Sequence, residues 1–222
     1  VIVQNKDDLK FIKSSFKLSS KEIFLIKGGS GVEKQFFKKF KKRKNKNVIM
    51  VSRIVKNKGV REYLQAAKYL KLKYPSWNFF IIGSIDYLSP DSVSQNLLKN
   101  YEVKKFVKVI NFKPKIIDYL RNSEIFCLPS YREGMPKTVL EALSIGLPVV
   151  TTNTIGCRDS IINGYNGLLC KAFDFKDLSR KLEILMIDKN LRKKMSSNAR
   201  NYARKNFPIN NNTNKIYKIY NS

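Results

Sequence analysis

The chain has 222 residues, with 44 Lys or Arg against 17 Asp or Glu, a formal net charge of +27 and no histidine. That length suits one packed domain with a short extra element, no stretch approaches the roughly 20 apolar residues of a membrane span, and the lack of His removes Ser-His-Asp and Cys-His chemistry from this chain. Lys and Asn are plentiful throughout, so much of the charge is composition, yet a field of this sign draws polyanions such as nucleotide phosphates, anionic lipid or nucleic acid.

The start, "VIVQNKDDLK", has no Met, no basic leader and no small-residue cleavage site. It opens in mid-strand, which leads us to expect a piece of a longer protein. "VIVQN" and "EIFLIKG" read as strands, and "NVIMVS" (Asn47 to Ser52) as a short β-rich run. "VREYLQAAKYLKLKY" sets Val60, Leu64, Ala67, Leu70 and Tyr74 at helical spacing and ends before Pro75. "WNFFIIG" is a strand, and "PDSVSQNLLKNYEVKK" opens with a helix-start signal. "FVKVINF", "EIFCLPS", "PVVTT" and "GLLC" read as further strands. Between them lie short helices at "PKIIDYLRN", "PKTVLEALSIG" and "GCRDSIIN". The second has Pro near its start and Gly at its end, the usual asymmetry of helix termini. Two lysine-rich helices follow, about Phe173–Asp188 and Lys189–Lys205, and an Asn-rich break precedes "TNKIYKIY". Strands and helices alternate, and the strands are apolar nearly throughout. This predicts an α/β fold: a doubly wound, mostly parallel sheet with helices on both faces.

In such sheets a ligand sits beyond the carboxyl ends of the strands. Ser52, Arg53 and Lys58 follow "NVIMV", Gly83 follows "NFFII", and Asn111, Phe112 and Lys113 follow "FVKVI". Arg53 offers a planar fork and Lys58 a point charge, a pairing suited to a diphosphate, though on these two residues alone ordinary surface cations are the preferred reading. After "EIFCLPS" comes "REGMPKTVLE", with Glu133 in the loop before a helix and Glu141 inside it. Helical side chains lean toward the amino terminus, so Glu141 can reach the helix mouth, where free N–H groups make an anion site. There it could accept hydrogen bonds from two ribose hydroxyls. Pairing with Lys137 one turn earlier accounts for it equally well. A glycosidase pair is disfavoured. Glu141 lies about five residues into the helix, roughly 7 Å along its axis, whereas retaining hydrolases hold their carboxylates about 5–5.5 Å apart.

The segment "PSYREGMPKTVLEALSIGLPVVTT" resembles the carboxyl-terminal half of retaining family-4 glycosyltransferases, which have the GT-B architecture; its E-x7-E pattern runs from Glu133 to Glu141. "VSRIVKNKGV" resembles that family's phosphate-binding loop. "GGSGVE" is similar to its Gly-Val-Asp loop at the domain junction, with Glu33 where Asp is usual. "GCRDSIINGYNGLL" is similar to a segment often reading G-x-x-E, with Asp159 in place of that Glu. The matches run in order from Lys27 to Leu169, and the variant looks like enzymes of capsule, O-antigen or undecaprenyl-linked glycan assembly.

The resemblance implies a Rossmann-like half of a GT-B fold: residues 1–30 as the last strand of an amino-terminal domain and junction, 31–206 as the nucleotide-sugar-binding domain, and 207–222 as a closing helix. It implies that Arg53 and Lys58 bind the donor diphosphate and stabilise the leaving group, Glu133 contacts the transferred sugar, and Glu141 holds the ribose. Gly134, Met135, Pro136, Lys137 and Thr138 would face sugar and phosphate through their backbone, without a donor at Pro136. Asn111, Phe112 and Lys113 would lie beside the base, and Gly83 would let the backbone approach the nucleotide. The implied reaction is transfer of a sugar from a nucleotide-sugar, UDP by family habit, to a hydroxyl with retention. The implied acceptor is a lipid-linked or polysaccharide glycan, with no cofactor and no metal.

Cys127, Cys157 and Cys170 form no CxxC, so no zinc set is expected, and their apolar neighbours predict reduced thiols in a cytosolic protein. Two other readings stand beside the transferase. A nucleotide-sugar epimerase of the same architecture usually needs a His for proton transfer, which this chain lacks. A basic nucleic-acid-binding module draws support only from "KKFKKRKNK" and its phenylalanines, without a recognisable motif, so no nucleic acid is expected. The stretch "KQFFKKFKKRKNK", Lys34 to Lys46, has a third reading. As a helix it would align Phe36, Phe37 and Phe40 between lysines and meet an anionic membrane on the cytoplasmic face. Packing of those phenylalanines on the core is the competing expectation.

Overall fold

In a computed structural model, residues 1–19, 21–39, 45–111 and 115–221 are described. The strands are β1 (Ile2–Val3), β2 (Phe24–Leu25), β3 (Asn47–Val51), β4 (Asn78–Ile82), β5 (Lys108–Ile110), β6 (Ile125–Leu128), β7 (Val149–Thr152) and β8 (Gly167–Cys170). The helices are α1 (Lys6–Ser15), α2 (Val60–Lys73), α3 (Gln95–Val103), α4 (Ile116–Arg121), α5 (Lys137–Ile145), α6 (Cys157–Ser160), α7 (Phe175–Ile187), α8 (Lys189–Asn206) and α9 (Ile209–Tyr220).

Six strands make one wholly parallel sheet in the order β5-β4-β3-β6-β7-β8. Val48 pairs with both Phe79 and Ile125, so β3 lies between the two directions of winding. The chain builds outward from β3 on one side, then returns to place β6 on the other. Parallel strands are covered on both faces, which is why Val48, Ile49 and Met50 and all of Ile125–Leu128 are buried. α2 packs on α7 and α5 on α8, and the apolar stripe of α2, Val60, Leu64, Ala67 and Leu70, is buried beneath.

Residues 1–30 stand apart from this sheet. β1 and β2 pair parallel with each other, and α1 crosses between them. α9 returns to meet this segment: the fully buried Asn212 donates from Nδ2 to the carbonyls of Lys27 and Gly29. Ile209 N–H donates to Val32, and Val32 N–H to Phe207.

Three local expectations need correction. The helix sought from Pro90 begins at Gln95, because Asp91–Ser94 are drawn onto the loop after β3: Lys56 N–H donates to the Asp91 carbonyl and Asn57 Nδ2 to the Asp91 carboxylate. The Asn-rich run is no break. It lies inside α9, and the chain turns earlier, at Phe207–Pro208. Lastly, Lys34–Phe37 is a short 3-10 turn with Phe36 buried in the core and Phe37 packed against it, so the phenylalanine stripe proposed for a membrane is not presented there. Phe40, Lys41 and Lys42 lie outside the described residues.

Candidate active site

The switch in winding direction between β3 and β6 opens a crevice at their carboxyl ends, the position where open α/β sheets hold ligands. Two loops flank it, residues 52–59 after β3 and 129–136 after β6. They are tied together: Tyr131 N–H and the Ser130 hydroxyl both donate to the Asn57 carbonyl, at 2.9 and 3.1 Å. Gly59 makes this approach feasible. It has φ 71° between the 3-10 turn Lys56–Lys58 and α2, and a Cβ there would overlap the Pro129 carbonyl.

The result is a direct contact between two of the expected site residues. Lys58 Nζ donates to Glu133 Oε1 at 2.6 Å, with both side chains mostly buried. An ammonium has three N–H donors, so the contact leaves Lys58 capacity for a phosphate as well. Arg53 stands on the same edge but points across to Asp86 after β4, 2.9 Å away, with its side chain 66% exposed. An exposed pair of this kind contributes ~0–1 kcal/mol and is readily exchanged for a multiply charged anion.

α5 begins at the crevice, and its first-turn N–H groups open toward it. Pro136 caps the helix through its carbonyl, which accepts from Val139 and Leu140. Met135 and Pro136 are buried, Lys137 is exposed and Thr138 half-buried. Glu141 sits one turn in and is buried, with Lys137 Nζ 3.9 Å from its carboxylate. Burial pushes its pKa up to about 7; Lys137 pulls it down and Glu33 adds a smaller push upward. Both readings of Glu141 therefore meet in one place: it faces Lys137 and it lies behind the helix mouth.

Gly83 answers to the fold itself. A Cβ at this position would overlap the Ser52 carbonyl, so the close approach of the chain after β4 to the chain after β3 demands glycine. Asn111 is exposed just beyond β5. Phe112 and Lys113 lie outside the described residues.

Several neighbours were not anticipated from sequence. Asp86 partners Arg53. Tyr131 donates from its hydroxyl to Glu62 at 2.7 Å, and burial with that carboxylate raises its pKa. The first turn of α1 reaches the Glu133 loop: Asp8 pairs with Arg132 at 2.7 Å, Asp7 with Arg158 at 3.7 Å, and Asn5 donates to the Gly134 carbonyl at 2.9 Å. The stretch "NKDD" carried the signal, an Asn cap with Asp three residues on. A separate cavity of about 660 Å³ opens at the amino ends of β3 and β6, between α8 and residues 45, 46 and 124. Lys46, Lys189 and Lys193 line it with two arginines that donate to the backbone, Arg192 to Leu185 and Met186 and Arg200 to Ile145.

The chain is 34% identical, over 87% of its length, to an N,N'-diacetylbacillosaminyl-diphospho-undecaprenol alpha-1,3-N-acetylgalactosaminyltransferase of Campylobacter jejuni, covering 50% of that protein. It is 31% identical, over 77% of its length, to a UDP-Gal:alpha-D-GlcNAc-diphosphoundecaprenol alpha-1,3-galactosyltransferase of Escherichia coli, covering 44% of it. The chain thus spans about half the length of the curated relatives it matches. The crystal structure of Anabaena HepE with UDP and glucose superposes over 100% of this chain and 62% of that one, with a TM-score of 0.85 at 18% identity, which supports the same fold. The family model for glycosyl transferases group 1 matches residues 31–202. With its doubly wound sheet being half of a GT-B fold, the chain belongs to the glycosyl transferases group 1 family.

Proposed function

We propose that this chain is the donor-binding half of a retaining glycosyltransferase that moves a sugar from a UDP-sugar to a glycan hydroxyl. The observation that carries the reading is the Lys58–Glu133 contact, placed at the switch point beside the mouth of α5 with Glu141 behind it. Breaking a glycosidic bond to a diphosphate develops negative charge on the leaving group. Lys58 and the first-turn N–H groups of α5 meet that charge in place, and Arg53 joins them once it leaves Asp86. Glu133, held by Lys58, stands beside the reacting carbon, and Glu141 takes the ribose hydroxyls. Asn111, exposed just beyond β5, borders the base.

In this reading residues 1–30 belong with an amino-terminal half that brings the acceptor, residues 31–206 bind the donor, and 207–222 close across the junction. The relatives named above support a polyprenyl-diphosphate-linked acceptor. Such an acceptor places the enzyme at the cytoplasmic face of a membrane as a peripheral protein; no described helix is long and apolar enough to cross one. The test is a calorimetric panel of UDP- and GDP-sugars on the full-length protein, followed by product analysis with a labelled donor. Binding of a UDP-sugar and transfer of label to a lipid-linked glycan supports the reading. A labelled epimer with no acceptor product, or no nucleotide binding at all, overturns it.

A further inference from the structure

We infer that Asn5 is a positioning residue for Glu133: its carboxamide holds the Gly134 carbonyl and thereby sets where the Glu133 carboxylate stands. The inference rests on the role proposed for Glu133. Asn5 is 129 positions from Gly134 in sequence and only 1% exposed. Its Oδ1 accepts from Asp8 N–H at 2.7 Å, the ordinary N-cap of α1. Ser, Thr or Asp serves a cap equally well. What they cannot supply is the second set of contacts, in which Nδ2 donates to Gly134 O at 2.9 Å and to Asp8 Oδ2 at 2.7 Å. The residue type is set by the loop it holds as much as by the helix it caps.

The peptide on each side of Glu133 is then fixed. Before it, Arg132 pairs with Asp8, which Asn5 itself orients. At the residue, Glu133 N–H donates to the Ile155 carbonyl at 3.0 Å, and Gly156, at φ 75°, packs so closely on the Glu133 carbonyl that a Cβ would overlap it. After it, the Gly134 carbonyl is held by Asn5. Gly134 is exposed and a glycine backbone is permissive, so without Asn5 the Gly134–Met135 peptide, whose carbonyl Asn5 holds, is free to turn about Gly134, one residue from Glu133. A displacement of about 1 Å at a reacting group can cost on the order of 100-fold in rate.

The experiment uses the full-length protein with Asn5→Ser, which keeps the cap oxygen and removes the amide donors, and Asn5→Ala, which removes both. Two readouts are taken: hydrogen exchange across residues 131–136, and kcat and donor KM with the UDP-sugar and acceptor. Asn5→Ser is expected to raise exchange at 133–135 with α1 as protected as in wild type, and to lower kcat about tenfold or more with donor KM within about twofold. Asn5→Ala adds fraying of α1. Unchanged exchange at 133–135 in Asn5→Ser overturns the inference. So does a kcat that falls only in step with the loss of Tm, since that is what a structural cap alone gives. Failure of the wild-type protein to transfer sugar strikes the proposed function instead, and the exchange readout still decides the part played by Asn5.

Discussion

Glu141 is a carboxylate whose ordinary range is shifted by its surroundings, and the shift has a sign that can be tested. Its pKa is near 4.5 in an unfolded chain and about 7 in the fold, chiefly through burial. Between those values the folded state binds more protons, so stability falls as pH rises through this window and levels off above it. Glu141→Gln is expected to melt at the same temperature as wild type near pH 4.5 and several degrees higher at pH 8, in scanning calorimetry at both pH values. Ligand binding runs the other way. Ribose hydroxyls donate to an ionised carboxylate, so UDP affinity should rise from pH 6 to pH 8 and proton release should accompany binding. Glu141→Gln should flatten that profile and weaken UDP by about tenfold, since hydrogen bonds to a charged group contribute about 1.5–3 kcal/mol. Glu133→Gln should leave UDP affinity nearly intact and lower kcat. Equal loss of UDP binding in both variants would contradict the separate roles.

At the scale of elements, the site depends on how closely two loops approach. Gly59→Ala puts a Cβ into the Pro129 carbonyl and a side chain at φ 71°. It should cost at least about 2 kcal/mol and reduce UDP binding with it, read by urea unfolding and calorimetry. Phe36→Ala, by contrast, should cost about 3–5 kcal/mol as a buried aromatic truncation while leaving liposome binding per folded molecule unchanged. These two residues also mark where sequence legibility ends. The central strands were readable because Val48–Val51 and Ile125–Leu128 are apolar without interruption, as burial on both faces requires. The alternation of apolar strands with helices pointed to the carboxyl ends of the strands, where the crevice lies. What escaped was set by contacts distant in the chain. Pro90 and Asp91 look like a helix start, yet a partner on the β3 loop claims them. The asparagines after Pro208 look like a break, yet Asn212 is spent inside the fold on Lys27 and Gly29. For Phe36 the sequence left two readings, membrane stripe and core packing, and the 3-10 turn places its ring in the core.

The whole molecule carries its charge unevenly in sequence, with the basic run from Lys34 to Lys46 entering β3. With Phe36 in the core and Phe37 packed against it, the described part of this run offers a membrane its lysines and not these two rings. Flotation of the full-length protein on anionic vesicles should therefore fall steeply between about 0.1 and 0.5 M salt, as screening shortens from about 10 Å. It should weaken when Lys38, Lys39, Lys41 and Lys42 become Gln, and unchanged flotation would move the contact elsewhere. The topology that creates the crevice also has a consequence in time. β3 lies in the middle of the sheet but is synthesised first of the six strands, and β4 can cover only one of its two sides. The other side waits for β6, which leaves the ribosome after α2, β4, α3, β5 and α4 have been made, several seconds later at about 5–20 residues per second. During that interval "NVIMV" is an open hydrophobic edge, the kind that pairs with other chains. Ribosome-arrested chains that end before Ile125 should show unprotected amides at Ile49 and Val51, which face β6, and bind chaperones that hold extended apolar segments. Chains long enough to expose β6 should lose both signals together. The seam between β3 and β6, at whose carboxyl ends the crevice lies, is thus the last at the sheet's centre to close.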